Sequence, residues 1–254
     1  MPPKHDQSPD DVFQVHNIEG GSPLLIGCDH AENRIPEAYN NLGLADEHLE
    51  KHIAYDIGAK NVALLLSEMF DAPAITGGYS RLMIDLNRHL DDPSLIVEMS
   101  DGISIPGNQD LDENERSWRI DQFFHPYHNQ YAAMVDDMAD RTNIAFILSV
   151  HSFTPTLNGI PRPWDYGVLW TDAHANLAKL LLAGFANHPE LEIGSNEPYH
   201  AGFPQGYAQV AHGEHRGVEM ALIEIRQDLV DSAAGQEAAA EKLYSVLKPL
   251  VHPE

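Results

Sequence analysis

Short apolar runs that alternate with helical periodicity are the feature that most constrains how this chain can fold. Runs of strand length lie at 23–28, 73–76, 82–86, 144–150, 166–170 and 218–225. Between them, apolar residues recur at helical spacing over 46–70, 115–141, 177–185 and 233–250. Strands that alternate with helices are typical of layered α/β domains. We therefore predict an α/β fold with three layers, α/β/α, around a central mixed and largely parallel sheet.

The length of 254 residues is that of one large domain. Residues 1–20 are polar and predict a poorly packed lead-in, so we place a single domain over 21–254. No apolar stretch approaches the roughly 20 residues of a membrane span, and the first residues lack the apolar core of a signal peptide. The single cysteine, Cys28, permits no internal disulfide. We therefore expect a cytoplasmic protein without a membrane partner.

The formal net charge of −24 bears on the possible partners. It argues against nucleic acid, because phosphates require a basic face. A negative field also repels anionic small molecules, so a site for a carboxylate substrate requires arginines that cluster locally. The chain has only 15 Lys and Arg residues, and the places where arginines cluster are therefore informative.

Two histidines stand where apolar runs end. His30 follows the run 23–28, and His151 follows the run 144–150. Ligands of open α/β sheets bind at the carboxyl ends of the strands, so two imidazoles from distant parts of the chain indicate a metal site there. Zinc is the predicted ion, because it takes imidazole and carboxylate ligands and keeps a position for water in catalytic sites.

The identity of a third ligand is left open by the residues alone. Glu32 and Asn33 are nearest to His30 along the chain, but a neutral amide is a poor zinc ligand. Asp56 is the other candidate, in a stretch that we predict to be helical, among small and apolar neighbours. A carboxylate on a partly buried helix face is unfavourable unless it is paired or binds a metal. A helix cap or a salt bridge is the structural alternative for this aspartate.

Arginines flank one of the predicted strands. The run 82–86 has Arg81 at its entry and Asn87 and Arg88 at its exit. A guanidinium presents a fork that matches a carboxylate, so this segment is a candidate for binding an acidic substrate. The alternative is a structural ion pair, such as Asp85 with Arg88.

A carboxylate interrupts the apolar run 218–225. Glu224 lies between two isoleucines, and burial raises the pKa of a carboxyl toward the range of a general base at neutral pH. Arg226 follows two positions later and so projects to the same face of a strand, where it binds substrate or pairs with Glu224. His212, in a glycine-containing segment before this strand, is a further candidate for substrate binding in the same site.

The order of these segments resembles a known family. They read Cys-Asp-His-Ala-x-Asn-Arg-Ile-Pro at 28–36, Asp56, Ser-Arg-Leu-x-Ile-Asp-Leu-Asn-Arg at 80–88, Val-His-Ser-Phe at 150–153 and Glu-Ile-Arg-Gln-Asp-Leu at 224–229. This set resembles the N-formylglutamate amidohydrolase family over about residues 22–250. That family is similar to the zinc carboxypeptidases and aspartoacylases, which implies a mixed sheet between helical layers.

The resemblance implies a role for each segment. His30 and His151 match the metal ligands of the family, and Glu224 occupies the position of its general base. Asn87 and Arg88 match the pair that holds the substrate carboxylate or polarises its carbonyl. These matches place a catalytic role on Glu224 and Arg88 and a substrate-binding role on Asn87.

The turn after His30 departs from the pattern of the relatives. Their His-x-x-Glu becomes His-x-x-Asn, because Asn33 stands at the last position. We take Asp56 as the third ligand in preference to Glu32, since an aspartate followed by a helix of small residues is also a feature of the family. Arg81, just upstream of the Asn-Arg pair, is assigned to substrate binding.

The implied function is zinc-dependent hydrolysis of a linear amide in a small acidic N-acyl amino acid. N-formyl-L-glutamate, cleaved to formate and glutamate, is the leading substrate, which implies a place in histidine catabolism. A carboxypeptidase-like or other N-acyl amidase, or a relative that binds metal or carboxylate without catalysis, are the alternatives. The glycine- and proline-rich segments 91–114 and 152–165 are candidate functional loops. The second follows His151 and is a candidate to cover the substrate, with a rigid surface connection as the alternative. The oligomeric state is left open.

Overall fold

A seven-stranded sheet forms the centre of the computed structural model, which describes residues 10–142, 146–201 and 206–252. The spatial order of the strands is β1-β3-β2-β4-β7-β5-β6. In chain order they are β1 (Phe13–His16), β2 (Leu24–Cys28), β3 (Ala74–Gly77), β4 (Phe146–Phe153), β5 (Tyr166–Leu169), β6 (Ile193–Ser195) and β7 (Met220–Arg226).

The four central strands run parallel. β3, β2, β4 and β7 pair in this order and in one direction, whereas β1 is antiparallel to β3 and β5 is antiparallel to β7. β6 is parallel to β5. Strands of a parallel sheet are buried on both faces and therefore read as continuous apolar runs, which is how they appear in the sequence. The prediction of a mixed, largely parallel sheet is confirmed.

Helices cover both faces of the sheet. They are α1 (Asp46–Leu49), α2 (Ala59–Phe70), α3 (Glu113–Arg119), α4 (His125–Thr142), α5 (Ala175–Phe185) and α6 (Ala233–Val251), and a π-helical segment (Ile120–Phe124) joins α3 to α4. Ile26 and Leu148 face the core beneath α2, α5 and α6, whereas Leu25 and Ile147 face the core beneath α4. This alternation produces the predicted three layers. None of the helices in the described part of the chain is long and apolar enough to cross a membrane.

The segment 82–86 is not a strand, which corrects the prediction above. It forms successive turns, in which Arg88 N donates to Asp85 O at 3.2 Å and Asn87 N donates to the Oδ1 atom of Asp85 at 2.9 Å. An aspartate side chain offers the backbone local partners of this kind, and these compete with strand pairing. The apolar residues at 82, 84 and 86 are buried nevertheless, and for this reason the sequence pattern mimics a strand.

The predicted helix over 46–70 is interrupted by turns. α2 begins only at Ala59, and Gly58 precedes it with a positive φ of 78°. A Cβ atom at position 58 would lie 2.2 Å from Val230 O, so only glycine provides both the conformation and the space. Asp56 consequently lies in a turn before α2 and not on a helix face.

Two other boundaries differ from the predictions. Phe13–His16, within the segment 1–20 that we expected to be a lead-in, form the edge strand β1. The run predicted over 144–150 begins with two positions outside the described residues, and its strand continues through Phe153. His151 therefore lies inside β4 and not after its end.

Candidate active site

The predicted site residues meet at the carboxyl end of the parallel strands. His30 lies two residues beyond β2, and its carbonyl oxygen accepts a hydrogen bond from Asp56 N at 2.9 Å. Glu224 on β7 is the direct register partner of His151 on β4. Strand pairing therefore fixes the separation of these two residues, while the turn before α2 brings in the aspartate.

Three buried side chains converge on one point. The Oδ2 atom of Asp56 lies 3.3 Å from Nδ1 of His30 and 2.8 Å from Nδ1 of His151. One ligand atom of each residue lies within 4.8 Å of those of the others, which is a group that could hold a metal ion. Glu32 lies elsewhere and forms a salt bridge with Lys60. The structure thus brings together the three residues that the sequence selected.

Asn33, the last alternative ligand, also faces away from this group. Its Nδ2 atom donates to Leu49 O at 3.0 Å and to the Oε1 atom of Glu50 at 3.2 Å. The asparagine therefore anchors the turn after His30 to the end of α1. Its side chain takes no part in the histidine–aspartate cluster.

A second carboxylate stands behind each histidine. The Nε2 atom of His30 lies 2.7 Å from Oδ1 of Asp85, and Nε2 of His151 lies 3.3 Å from Oδ2 of Asp29. Asp29 also accepts a hydrogen bond of 2.6 Å from the Tyr127 hydroxyl. Such outer partners fix the orientation of metal-binding imidazoles and leave the other ring nitrogen for the metal. Sequence reasoning missed both aspartates as site residues, although each lies within a motif that it had singled out.

The charge of the cluster suits a bound cation. Asp29, Asp56 and Asp85 are all nearly inaccessible to solvent, whereas Arg81 is the only arginine or lysine that pairs with them in the described ranges. Burial opposes ionisation of Asp29, but the hydrogen bond and charge of His151 lower its pKa to about 2. Buried carboxylates in excess require a compensating positive charge. Two imidazoles and one carboxylate form the kind of donor set found in catalytic zinc sites, so the residues present fit this ion.

Glu224 is poised as a base beside this cluster. The residue is only 7% exposed, and burial raises the pKa of its carboxyl to about 7, with a further contribution from the charge of Asp56. Its Oε2 atom is buried and has no hydrogen-bond partner among the residues that the structure describes. A carboxylate that titrates near neutral pH with a free oxygen can accept and return a proton.

The two arginines of the turn segment have different surroundings. Arg81 binds Asp85 through Nε at 3.0 Å and through a shorter contact of Nη2, and its Nη1 lies 3.4 Å from Oδ1 of Asp56. Arg88 donates instead to Ser94 Oγ at 3.2 Å and to Asn87 O at 3.0 Å. No carboxylate pairs with Arg88 within the described ranges. The structural ion pair that the sequence left as the alternative therefore forms, but Asp85 pairs with Arg81 and not with Arg88. Arg88 keeps a charge for an incoming anion.

A cavity of about 110 Å³ connects these groups. Its walls include His30, Asp56, Asn87, Arg88 and Glu224. The Oδ1 atom of Asn87 accepts a hydrogen bond of 3.2 Å from Ala208 N, which fixes its amide group. The same cavity is therefore lined by the candidate base, by two of the candidate metal ligands and by an arginine that can bind an anion.

A second cavity of about 190 Å³ adjoins the first and shares Arg81, Arg88, His52 and Tyr199 with it. Parts of both predicted loops line the two cavities: Ser94, Val97, Ser100 and Asp101 from 91–114, and Ser152, Phe153, Thr154 and Leu157 from 152–165. Both loops therefore contribute walls to the candidate active site.

Two predicted substrate-binding residues lie outside the cavities. Arg226 pairs with Asp228 at 2.7 Å and with Asp165 at 3.1 Å, so its guanidinium is already neutralised. His212 is buried and hydrogen-bonded to His128, with 3.0 Å between Nε2 and Nδ1. Burial lowers the pKa of His212 to about 3, so its ring is a neutral part of the core. Neither residue lines the two cavities, so we do not carry either assignment into the proposed function.

The comparison with protein families agrees with this geometry. The model of the N-formylglutamate amidohydrolase family matches residues 22–230. The chain belongs to the N-formylglutamate amidohydrolase family. The match covers β2, β3, β4 and β7, the strands around which the cluster and the base are built.

Members and structural neighbours of this family resemble the chain to different degrees. An N-formylglutamate deformylase from Pseudomonas putida is 29% identical over 177 residues, which are 61% of this chain and 59% of that protein. A solved gene product from Agrobacterium tumefaciens is 33% identical, with a TM-score of 0.90 and 94% of each chain covered. An N-formylglutamate amidohydrolase from Ralstonia eutropha shares the fold at 19% identity, with a TM-score of 0.74 and coverage of 96% and 97%.

Proposed function

We propose that this protein hydrolyses the amide bond of a small N-acyl amino acid. N-formyl-L-glutamate is the proposed substrate, with formate and L-glutamate as products. One observation carries the proposal: Glu224, with a free buried oxygen, faces the same cavity as His30, Asp56 and Arg88. Membership of the N-formylglutamate amidohydrolase family supports the choice of substrate. A cytoplasmic role in histidine catabolism belongs to the same proposal.

Zinc is the proposed cofactor, with His30, Asp56 and His151 as its ligands. The donor types and the excess of buried carboxylates support this choice. Bound at this position, zinc supplies a water of lowered pKa and polarises the scissile carbonyl. Asp85 contacts Nε2 of His30 and Asp29 contacts Nε2 of His151, and these contacts hold the two imidazole rings in place.

Glu224 moves the proton in the proposed reaction. Its Oε2 atom takes a proton from the attacking water as the new C–O bond forms. The same atom then returns the proton to the leaving nitrogen as the C–N bond breaks, which yields the acid and the free amine. A pKa of about 7 suits a group that must both accept and donate at neutral pH.

Arg88 and Asn87 bind the substrate in this proposal. The guanidinium of Arg88 faces the cavity without a carboxylate partner in the described parts of the chain, so it matches a substrate carboxylate. Asn87 presents its amide to the same space, since Ala208 N fixes its oxygen. Arg81 adds positive charge to the wall while it remains tied to Asp56 and Asp85.

The decisive experiment measures formate and free amino acid released by untagged, zinc-loaded protein. The panel contains N-formyl-L-glutamate, N-acetyl-L-glutamate and a dipeptide with C-terminal glutamate. We expect formate release from the first, loss of activity with a chelator and recovery with zinc. Cleavage of the dipeptide alone would instead identify a carboxypeptidase-like enzyme. Bound zinc without hydrolysis of any compound would identify a non-catalytic relative.

A further inference from the structure

A buried arginine, Arg162, lies next to the candidate active site. Arg162 follows the hairpin of 156–157 and 160–161 and is only 8% exposed. Its Nη1 atom donates to the Tyr199 hydroxyl at 2.8 Å and lies 3.5 Å from Thr154 O. No aspartate or glutamate forms a salt bridge with it within residues 10–142, 146–201 and 206–252. A buried guanidinium is always charged, so such a position is unfavourable unless an anion joins it.

Tyr199 links this arginine to the substrate space. It lines both cavities, and the Arg162 guanidinium also stacks against its ring, 4.8 Å from the centroid. Because the hydroxyl oxygen accepts from Arg162, its hydrogen is left for another acceptor. A hydroxyl with a positive charge behind it is a strong donor for a carboxylate. Arg162 therefore acts through Tyr199, which touches the ligand.

The surroundings select where an anion can lie. Asp101, whose Oδ2 atom lies 3.5 Å from Nε2 of His52, lines the second cavity and repels a carboxylate from the wall that it forms. Arg88 and Tyr199 line both cavities and present donors toward the space that the cavities share. The shared space therefore offers two separate donors for carboxylates, Arg88 and Tyr199.

We propose that Tyr199, backed by Arg162, forms the subsite that recognises the side-chain carboxylate of the substrate. The inference rests on the proposed function and deepens it, since it makes the enzyme selective for acidic N-acyl amino acids. Arg88 holds the α-carboxylate, Tyr199 contacts the second carboxylate, and Arg162 is a positioning residue that supplies charge from behind.

The test compares N-formyl-L-glutamate with N-formyl-L-glutamine, which has almost the same shape but a neutral side chain. We expect wild type to prefer the glutamate derivative in kcat/KM. Arg162→Gln and Tyr199→Phe should each reduce this preference about 10- to 100-fold, mainly through KM, because each removes a charge-assisted hydrogen bond. Arg162→Lys should retain part of the preference. The double variant should lose no more than either single variant, because the two residues act as a unit.

Arg34→Gln is the matched control. Arg34 likewise donates to backbone carbonyls, including Gly78 O at 3.1 Å, and stacks 4.1 Å from the centroid of the Tyr79 ring, but it lines neither cavity. The preference should not change in this variant. Equal losses for both substrates in Arg162→Gln would overturn the inference and assign Arg162 a structural role.

Calorimetric binding of the two N-formyl acids separates this inference from the proposed function. If the wild-type protein binds both compounds with equal affinity, the proposed subsite is wrong, whether or not the protein is active. Wild type that prefers the glutamate derivative, loses this preference in Tyr199→Phe and releases no formate supports the subsite and overturns the proposed function. If Arg162→Gln does not fold, the change of substrate preference in Tyr199→Phe still decides the outcome.

Discussion

Substitution of the proposed base should lower activity and raise stability at the same time. Burial raises the pKa of Glu224 from 4.5 to about 7. This shift means that the folded protein disfavours the ionised carboxylate by about 3 kcal/mol relative to the unfolded chain. The folded state binds the extra proton between these two pKa values, so this residue reduces stability as the pH rises from 4.5 to 7. Glu224→Gln keeps the shape and removes the titration.

We therefore expect two linked results for Glu224→Gln. Turnover of N-formyl-L-glutamate should fall about 100- to 10,000-fold, because proton transfer by a positioned group contributes on this scale. In urea unfolding of chelator-treated protein, the stability of the variant relative to wild type should increase by about 3 kcal/mol between pH 4 and pH 8. The matched control is Glu241→Gln, an exposed position on α6.

Either of two outcomes would contradict the role of Glu224 as a buried base. One is a turnover number that remains within a few-fold of wild type. The other is a stability difference between variant and wild type that is the same at both pH values. The control Glu241→Gln removes a carboxylate at an exposed position and should keep full activity, which separates the loss of the base from the loss of a charge.

Three further predictions follow from the site. Asp56→Asn should weaken zinc binding in chelator competition by more than the roughly 10- to 100-fold typical of outer-shell losses, whereas Glu32→Gln should not. Arg226→Met should leave KM and kcat unchanged, because its partners are Asp165 and Asp228. Burial holds the pKa of His212 at about 3. The free energy of unfolding of His212→Gln, relative to wild type, should therefore increase by about 3 kcal/mol as the pH falls from 6.5 to 4.

Each of these predictions has an outcome that contradicts it. Zinc affinity that falls equally in Asp56→Asn and Glu32→Gln would remove Asp56 from the ligand set. A raised KM in Arg226→Met would return this arginine to substrate binding. Because a neutral buried imidazole makes the protein less stable as the pH falls below 6.5, a pH-independent difference for His212→Gln would contradict its buried, neutral state.

The central strands could be predicted because burial on both faces leaves a continuous apolar pattern. β2, β4 and β7 follow this pattern closely. The edge strand β1 lies in a polar segment and was missed, because pairing with β3 and not composition holds it in the sheet. The segment 82–86 has buried apolar residues like a strand, but local hydrogen bonds to Asp85 turn the backbone. The apolar pattern of a sequence indicates which residues are buried, but it does not indicate turns that local side-chain hydrogen bonds stabilise.

The sequence pattern selected the candidate site residues that stand in or just after apolar runs, namely His30, His151 and Glu224. Residues whose roles depend on distant partners were missed. Tyr127 contacts Asp29 across 98 positions, and the partner of Arg162 lies 37 positions away. No local pattern identifies such pairs.

β7 has a special place in the sheet, because it pairs with β4 on one side and with β5 on the other. It is also the last of the seven strands to be synthesised, after both of its neighbours in the sheet. The proposed ligands His30, Asp56 and His151 all precede residue 152, whereas Glu224 arrives with the strand that unites the two halves of the sheet. Completion of the sheet therefore coincides with the arrival of the proposed base, and a chain that ends before β7 holds the proposed ligands without it.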